Sequence, residues 1–336
     1  MIIPFFIPHS GCPHQCVFCN QKNITGQDAP ADSAAIKGKI NEYLKTRKKG
    51  AAVSVAFYGG SFTALPLPVQ RDYLQQVQPF IQAGEVESIR LSTRPDCITG
   101  ETLALLKNHR VGTVELGVQS MDDRVLALSG RGHTAAHTVT AVNLLRESGF
   151  PVGLQLMAGL PGDSPDRFRN TVEKIIGLKP AFVRLYPVLV LKGTPLERLY
   201  RIGAYAPLPL EEAVTLCREA LIRFEQAGIG VIRIGLQPTA ELNKPGTIAA
   251  GPYHPAFRQL VESSILLDAM RSLLLNQKRE SDEVIFQVNR RDLSAAAGVR
   301  RSNIDVLQKE FGLKKIRIVE GSSVLKKWKP VILPSS

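Results

Sequence analysis

Cysteine is scarce in this chain, five in 336 residues, and three of the five fall within the first twenty positions. So few thiols, so placed, exclude a disulfide scaffold and fit a reducing compartment with metal chemistry. No apolar run approaches the length that crosses a bilayer. The apolar opening Ile2–Ile7 is too short for a signal peptide and has no basic segment before it, so the expectation is a soluble cytoplasmic protein without a membrane partner. No low-complexity tract or long internal repeat is present. Acidic residues are also in short supply, 30 against 42 Lys and Arg, a formal charge of +12. That balance favours a polyanionic partner such as nucleic acid, although plain solvation also produces it.

What is present is a strand–helix alternation. Short apolar or β-branched runs bounded by Gly, Pro or polar turns stand at Ile2–Ile7, Val53–Tyr58, Ser88–Ser92, Thr113–Val118, Val152–Met157 and Phe182–Tyr186, and each reads as a strand. Helical spacing of apolar residues falls between them, at Ser33–Thr46, Pro68–Ile81, Thr102–Asn108, Thr134–Ser148, Arg167–Leu178 and Glu211–Ala227. Such alternation predicts an α/β protein with a parallel sheet, and Val231–Gly235 is a candidate edge strand. With 44% apolar residues the chain can bury one large domain and a small one. The expected divisions are 1–236, a connecting segment and helix at 237–280, and a small basic domain at 281–336. Residues 238–262, rich in Pro and Gly, read as an excursion over the mouth of the first domain or as a linker.

The three early cysteines have the spacing C-x3-C-x2-C: Cys12, Cys16 and Cys19. Three thiolates leave a cubane iron–sulfur cluster one iron short of its usual cysteines, an open place for a ligand. A zinc ion closed by His9 or His14, or a disulfide with a spare thiol, accounts for the same residues. The loop follows a buried strand, where active sites of barrel-type α/β proteins form. Further polar or glycine-rich segments follow other strands: Gly59-Gly60-Ser61, Ser92-Thr-Arg94-Pro-Asp96, Gly117-Val-Gln119-Ser120 and Arg131-Gly-His-Thr134. Thr134 reads as a helix N-cap.

The cysteine spacing, with Phe18 before the last cysteine, resembles the signature of radical S-adenosylmethionine (SAM) enzymes. The ordered set Tyr58–Thr63, Ser92–Asp96, Glu115–Ser120, Arg131–Thr134, Ala158–Gly162 and Arg184–Pro195 resembles the radical-SAM subunit of Elongator, which acts on tRNA wobble uridine. Part of it is shared with oxygen-independent coproporphyrinogen oxidases. The resemblance implies a partial (β/α)6 TIM-type barrel, a [4Fe-4S] cluster on Cys12, Cys16 and Cys19, and SAM cleaved reductively to a 5′-deoxyadenosyl radical. It further implies that Gly59, Gly60, Ser61 and Ser92 lie near the SAM amino group and that Arg131 pairs with its carboxylate. Gln119 and Gln155 would reach ribose or nearby polar atoms, with Met157 or Ala158 near adenine. An electron donor such as flavodoxin or ferredoxin would be a partner. Ser92 stands where relatives often have Glu. The residues after the barrel are expected to be too few for the acetyltransferase domain of Elongator subunits, so the carboxymethyl-type chemistry does not follow.

The tail instead resembles a KH RNA-binding module: strand Glu283–Val288, helices around the loop Gly298-Val-Arg300-Arg301, and strand Phe311–Ile318. KH loops clamp a nucleic-acid backbone. Gly298, Arg300, Arg301, Lys314 and Lys315 would contact RNA, although Arg301 occupies the place of the second glycine. Three functions compete on these residues: RNA modification, tRNA above all; radical chemistry on a small metabolite such as a tetrapyrrole precursor; and non-catalytic nucleic-acid binding around a structural metal.

Overall fold

A computed structural model describes residues 1–7, 10–20, 33–48, 50–276, 281–321 and 327–333. They form two compact units, residues 1–209 with 223–252, and residues 210–222 with 253–336.

The first unit alternates β1 (Ile2–Phe6), α1 (Ser33–Lys45), β2 (Ser54–Tyr58), α2 (Leu67–Gln82), β3 (Ser88–Thr93), α3 (Gly100–Asn108), β4 (Val111–Gln119), α4 (Asp123–Leu128) and α5 (Ala135–Glu147). It continues through β5 (Val152–Ala158), α6 (Pro165–Gly177), β6 (Phe182–Pro187), β7 (Val190–Leu191), α7 (Pro195–Arg201), β8 (Gly230–Ile234) and β9 (Ile248–Ala250), while α8 (Leu210–Gln226), between α7 and β8, has most of its residues in the second unit. Seven strands make one sheet in the order β1-β2-β3-β4-β5-β6-β8, every neighbouring pair parallel. The six-unit alternation expected from the sequence is therefore present, and Val231–Gly235 does supply an edge strand.

Local chemistry sets the boundaries. Thr99, Thr134, Ser164 and Thr194 each accept a backbone N–H three residues on, and Pro165 and Pro195 occupy first-turn positions, where a missing N–H costs nothing. Along β3 and β6 burial alternates strictly, with Ile89, Leu91, Val183 and Leu185 fully buried. The opposite, half-buried face carries Arg90, Ser92, Arg184 and Tyr186. Curvature is visible in one contact: the Arg184 guanidinium lies 5.7 Å from the centre of the Tyr58 ring. In a flat sheet the strands bearing them, β6 and β2, would stand about 19 Å apart, four spacings. The sheet therefore curls so that this face lines a lumen, and among the described residues β1 and β8 do not pair. It is a partial barrel.

Several short elements go beyond the sequence reading. α4 and α7 span too few residues for a helical period to be legible. β9 arises inside the Pro/Gly-rich stretch and pairs antiparallel with β7, which ties residues up to 252 to the first unit although the composition shifts after Gln237. The helix expected from Ser263 begins at Phe257.

In the second unit, α9 (Phe257–Asn276), β10 (Glu283–Val288), α10 (Leu293–Ala297), α11 (Ser302–Phe311), β11 (Lys315–Glu320) and β12 (Val331–Leu333) follow in order. The sheet order is β11-β10-β12, with β10 parallel to β11 and antiparallel to β12. Leu266, Met270, Phe286, Ile304 and Leu307 form the core. Two helices joined by a tight loop thus connect adjacent parallel strands.

Candidate active site

The cysteine loop is held against the turn after β2 and the C-terminal end of α4. Ser61 N–H donates to the Ser10 carbonyl and Val17 N–H to the Ser129 carbonyl. A Cβ on Gly60 would stand 2.5 Å from the carbonyl oxygens of Ile7 and Ser10, and one on Gly11, at φ +71°, 2.4 Å from the Ser61 carbonyl. Only glycine permits this approach. It brings Cys12 Sγ to 3.5 Å from Ser61 Oγ. Cys16 is buried and its Sγ accepts from Arg131 Nη1 at 3.1 Å. Cys12 is exposed and Cys19 half-buried. Among the described residues no three His, Cys, Asp or Glu side chains converge as a single metal ion would require; a cubane asks something different, one cysteine per iron. His14 packs its ring on the backbone of Gly132, where a Cβ would come within 2.3 Å. His9 lies outside the described residues.

The segment 59–61 and residues 117–131 close on the same place. Gly59 takes φ +88°, and Gln119 ends β4 at φ +69° beside a register shift. A Cβ on Gly117 would stand 3.0 Å from Gln119 Nε2 and 3.3 Å from Arg131 Nη2. Among the described residues Gln119 Oε1 and Arg131 Nε are buried without partners, groups that cost free energy unless a polar ligand meets them. A cradle where a Cβ would intrude, two orphaned polar atoms and three loop thiols fit an iron–sulfur cluster with a polar, charged cosubstrate. Arg131 Nη2 also donates to the Gly117 carbonyl. Ser92, Gln155 and Met157 share the half-buried lumen face of β3 and β5, whereas Ala158 is 1% exposed on the other face of β5. The structure therefore does not bring Ala158 together with the others.

Arg94 makes a double contact with Asp96, at 3.0 and 2.9 Å, and also donates to the Arg131 carbonyl. Burial pushes the Asp96 carboxyl up, but the Arg94 hydrogen bonds and charge outweigh it and hold it below the usual range. Burial first, then the charges of Arg131 and Arg94, depress His133 to about 3, so its ring is neutral and bonds the Val118 carbonyl at 3.2 Å. Asp163 is raised to about 6 by burial although it accepts the N–H groups of Gly159 and Ser164. Outside the cysteine loop, Cys217 is raised to about 12 by burial, which leaves it inert.

Deeper in the lumen stands a cluster that strand patterns alone did not reveal. Glu115 of β4 accepts from Arg90 Nη2 at 3.0 Å, Arg184 Nε at 2.6 Å, Arg184 Nη2 at 3.2 Å and the Tyr58 hydroxyl at 3.2 Å. Three of these donors share Oε1 and one takes Oε2.

The second unit has a groove of about 480 Å³ with an apolar wall that includes Leu293, Ala297 and Ile304 and a basic edge of Arg301, Lys315 and Arg317. Its loop is strained: Arg300 and Arg301 take φ +54° and +68°, a conformation costing about 1–2 kcal/mol per non-glycine residue. Asn303 Nδ2 anchors the turn, donating to the carbonyls of Ser263, Ala295 and Ala296. Arg301 thus keeps a glycine-type conformation where a KH loop has glycine. Lys314 pairs with Asp282 at 2.9 Å outside the groove, and Lys315 with Glu283 at 3.5 Å.

Comparison with known proteins agrees with this geometry. A tRNA uridine(34) acetyltransferase of Methanocaldococcus infernus is 27% identical over 244 residues, 60% of this chain and 46% of that protein. The uncharacterized protein YtqA of Bacillus subtilis is 27% identical over 282 residues, 78% of this chain and 85% of that protein. The chain spans about half the length of the tRNA uridine(34) acetyltransferases it matches. In fold it is similar to the archaeal M. infernus Elp3 with an N-terminal deletion, TM-score 0.60 at 21% identity, over 79% of this chain and 62% of that one. Among the described residues no helix is long and apolar enough to cross a membrane. The profile of the radical SAM C-terminal domain matches residues 180–266 and that of the radical SAM superfamily residues 6–175. The chain is a member of the radical SAM superfamily, enzymes whose chemistry is supplied by a [4Fe-4S] cluster and SAM.

Proposed function

We infer that this enzyme modifies RNA, with tRNA as the substrate class, in the cytoplasm. The observation that carries the reading is the groove of the second unit. Its basic edge suits phosphates and its apolar wall suits unpaired bases, and the strained Arg300–Arg301 turn is held in place by a buried asparagine. Strain kept by surrounding structure is the pattern of a working site. The similarity to tRNA uridine(34) acetyltransferases supports the same substrate class.

In this reading Cys12, Cys16 and Cys19 would hold the cluster, which an external donor such as flavodoxin or ferredoxin would reduce. When bound, cluster and SAM supply the radical that abstracts hydrogen. The chain's own residues orient and shield. The backbone of Gly59, Gly60 and Ser61, with Ser92, would meet the SAM amino group. Arg131, already pointed at Cys16, pairs with the carboxylate, a charge-assisted contact suited to guanidinium. Gln119 and Gln155 meet ribose, and Met157 packs near adenine. Gly298, Arg300 and Arg301, with Lys315 and more remotely Lys314, grip the RNA backbone.

The test is mass spectrometry of total tRNA nucleosides from a deletion strain beside its parent. Loss of at least one modified nucleoside, restored by the intact gene but not by a Cys16→Ala copy, is expected. Identical nucleoside profiles would remove RNA as the substrate and favour a small metabolite.

A further inference from the structure

The Arg90–Glu115–Arg184 cluster has an imbalance of charge and of exposure. Two guanidinium groups share one carboxylate, so the group carries a net positive charge. Glu115 has 4% of its side chain exposed, against 17% for Arg90 and 16% for Arg184. The carboxylate is therefore the most enclosed of the three groups, and the two guanidiniums on the lumen face are the part-exposed ones. Among the described residues Arg90 Nε is buried without a partner, although its Nη2 is bound to Glu115. A third cation, Arg233 of β8, acts on Tyr186, and Tyr186 shares the lumen face of β6 with Arg184.

The surroundings fix this geometry. β5 lies between β4 and β6, and Gly153 is paired with Glu115 on one side and Phe182 on the other. A Cβ on Gly153 would stand 2.3 Å from the Phe182 ring. The ring fills that space, and the Arg90 guanidinium stacks over it at 5.1 Å. Arg184 lies over the Tyr58 ring, and the Tyr58 hydroxyl bonds Glu115. Both guanidiniums thus lie beside aromatic rings, with Arg184 Nη2 also reaching the Tyr58 hydroxyl at 3.5 Å. Two part-buried guanidiniums that share one carboxylate keep a net positive charge, and oriented guanidiniums are suited to receive a carboxylate or phosphate.

We propose that Arg90 and Arg184 form a receptor in the barrel lumen for an anionic group of the substrate, phosphate or carboxylate, and so fix the depth at which the substrate sits beneath SAM. The proposal rests on the lumen being where substrate meets SAM, and it deepens the RNA reading by giving one phosphate a place there. Glu115 is then a positioning residue that sets both forks.

The test uses the full chain, reconstituted anaerobically and saturated with SAM, so that the carboxylate of SAM is already placed. Calorimetry compares uridine with uridine 5′-monophosphate. The monophosphate should bind about tenfold more tightly, the yield of one charge-assisted contact, with inorganic phosphate competing. Arg184→Gln and Arg90→Gln should each remove the advantage, and Arg184→Lys should retain part of it. Because these variants could lose stability, the native protein provides a second readout: phenylglyoxal labelling of Arg90 and Arg184, followed by mass spectrometry, should be slowed by phosphate or citrate. Equal affinity for nucleoside and nucleotide, with labelling indifferent to both anions, overturns the proposal. If phosphate and citrate protect but the nucleotide gains nothing over the nucleoside, the receptor stands and the RNA reading loses support. If tRNA is bound and modified while Arg184→Gln changes neither affinity nor protection, the receptor falls and the RNA reading stands.

Discussion

Replacing Asn303 with alanine probes the anchor of the basic loop. Its Nδ2 lies 2.9 Å from the Ser263 carbonyl and 3.2 Å from those of Ala295 and Ala296, and the residue is 4% exposed. Two hydrogens serve three acceptors, so at most two are fully satisfied at once. Alanine removes both donors, but the Ala295 carbonyl keeps the Gly298 N–H and the Ser263 carbonyl lies within helix α9. At about 0.5–1.5 kcal/mol for each net hydrogen bond lost, the expected loss is about 1–3 kcal/mol. Trp328 is the only tryptophan and packs on the core of the second unit, so its fluorescence follows this unit through a urea titration. The same substitution frees Arg300 and Arg301 to leave their left-handed conformations, and tRNA affinity should fall with stability. A tryptophan transition displaced by less than about 0.5 kcal/mol would refute the anchoring role. Unchanged tRNA binding in a destabilised variant would separate the loop from RNA.

Other consequences concern protons and thiols. His133 is held near 3, below its unfolded value of 6.5, so the fold favours the neutral ring. This contribution is complete above pH 6.5 and is lost as pH falls toward 3, by at most about 3–5 kcal/mol. Unfolding at pH 7.5 and 5 should show a shallower acid loss for His133→Asn than for the parent, and equal slopes would contradict the burial argument. Asp163 has the opposite sign. Its folded value near 6 exceeds the 3.8 of a free aspartate, so its contribution is complete below 3.8 and fades as pH rises through 6. The stability of Asp163→Asn relative to the parent should therefore rise by about 1–3 kcal/mol between pH 4 and 8, and a pH-independent difference would refute it. Iron and sulfide analysis should find the cluster abolished by Cys12→Ala, Cys16→Ala or Cys19→Ala and retained in Cys97→Ala and Cys217→Ala. Arg131→Ala should keep the cluster yet weaken SAM binding by about 2–5 kcal/mol; unchanged affinity would place the carboxylate elsewhere.

The barrel was legible because strands such as Ile89–Leu91 and Val183–Leu185 bury one face under helices while glycine and capping residues mark their ends. The cysteine loop was legible because its chemistry is local. The Glu115 cluster was not, since Tyr58, Arg90, Glu115 and Arg184 lie on four different strands and meet only through sheet curvature. His133 and Asp163 owe their shifts to burial, which spacing does not encode. β9 was hidden because three residues carry no period and its partner β7 is two residues long. In the second unit the residue type at 301 pointed away from a glycine-type turn, while the backbone adopts one because Asn303 and the packing of Gly298 hold it.

The most direct test of the central claim is 5′-deoxyadenosine formation by the reduced, anaerobically reconstituted enzyme, with and without tRNA from a strain lacking this gene. The account predicts that this tRNA accelerates SAM cleavage and accepts a modification in step with it. It also predicts that Arg300→Glu with Arg301→Glu preserves basal cleavage while removing the stimulation, with tRNA binding that falls steeply as salt rises in the intact protein. SAM cleavage indifferent to tRNA, with no modified nucleoside formed, would contradict it.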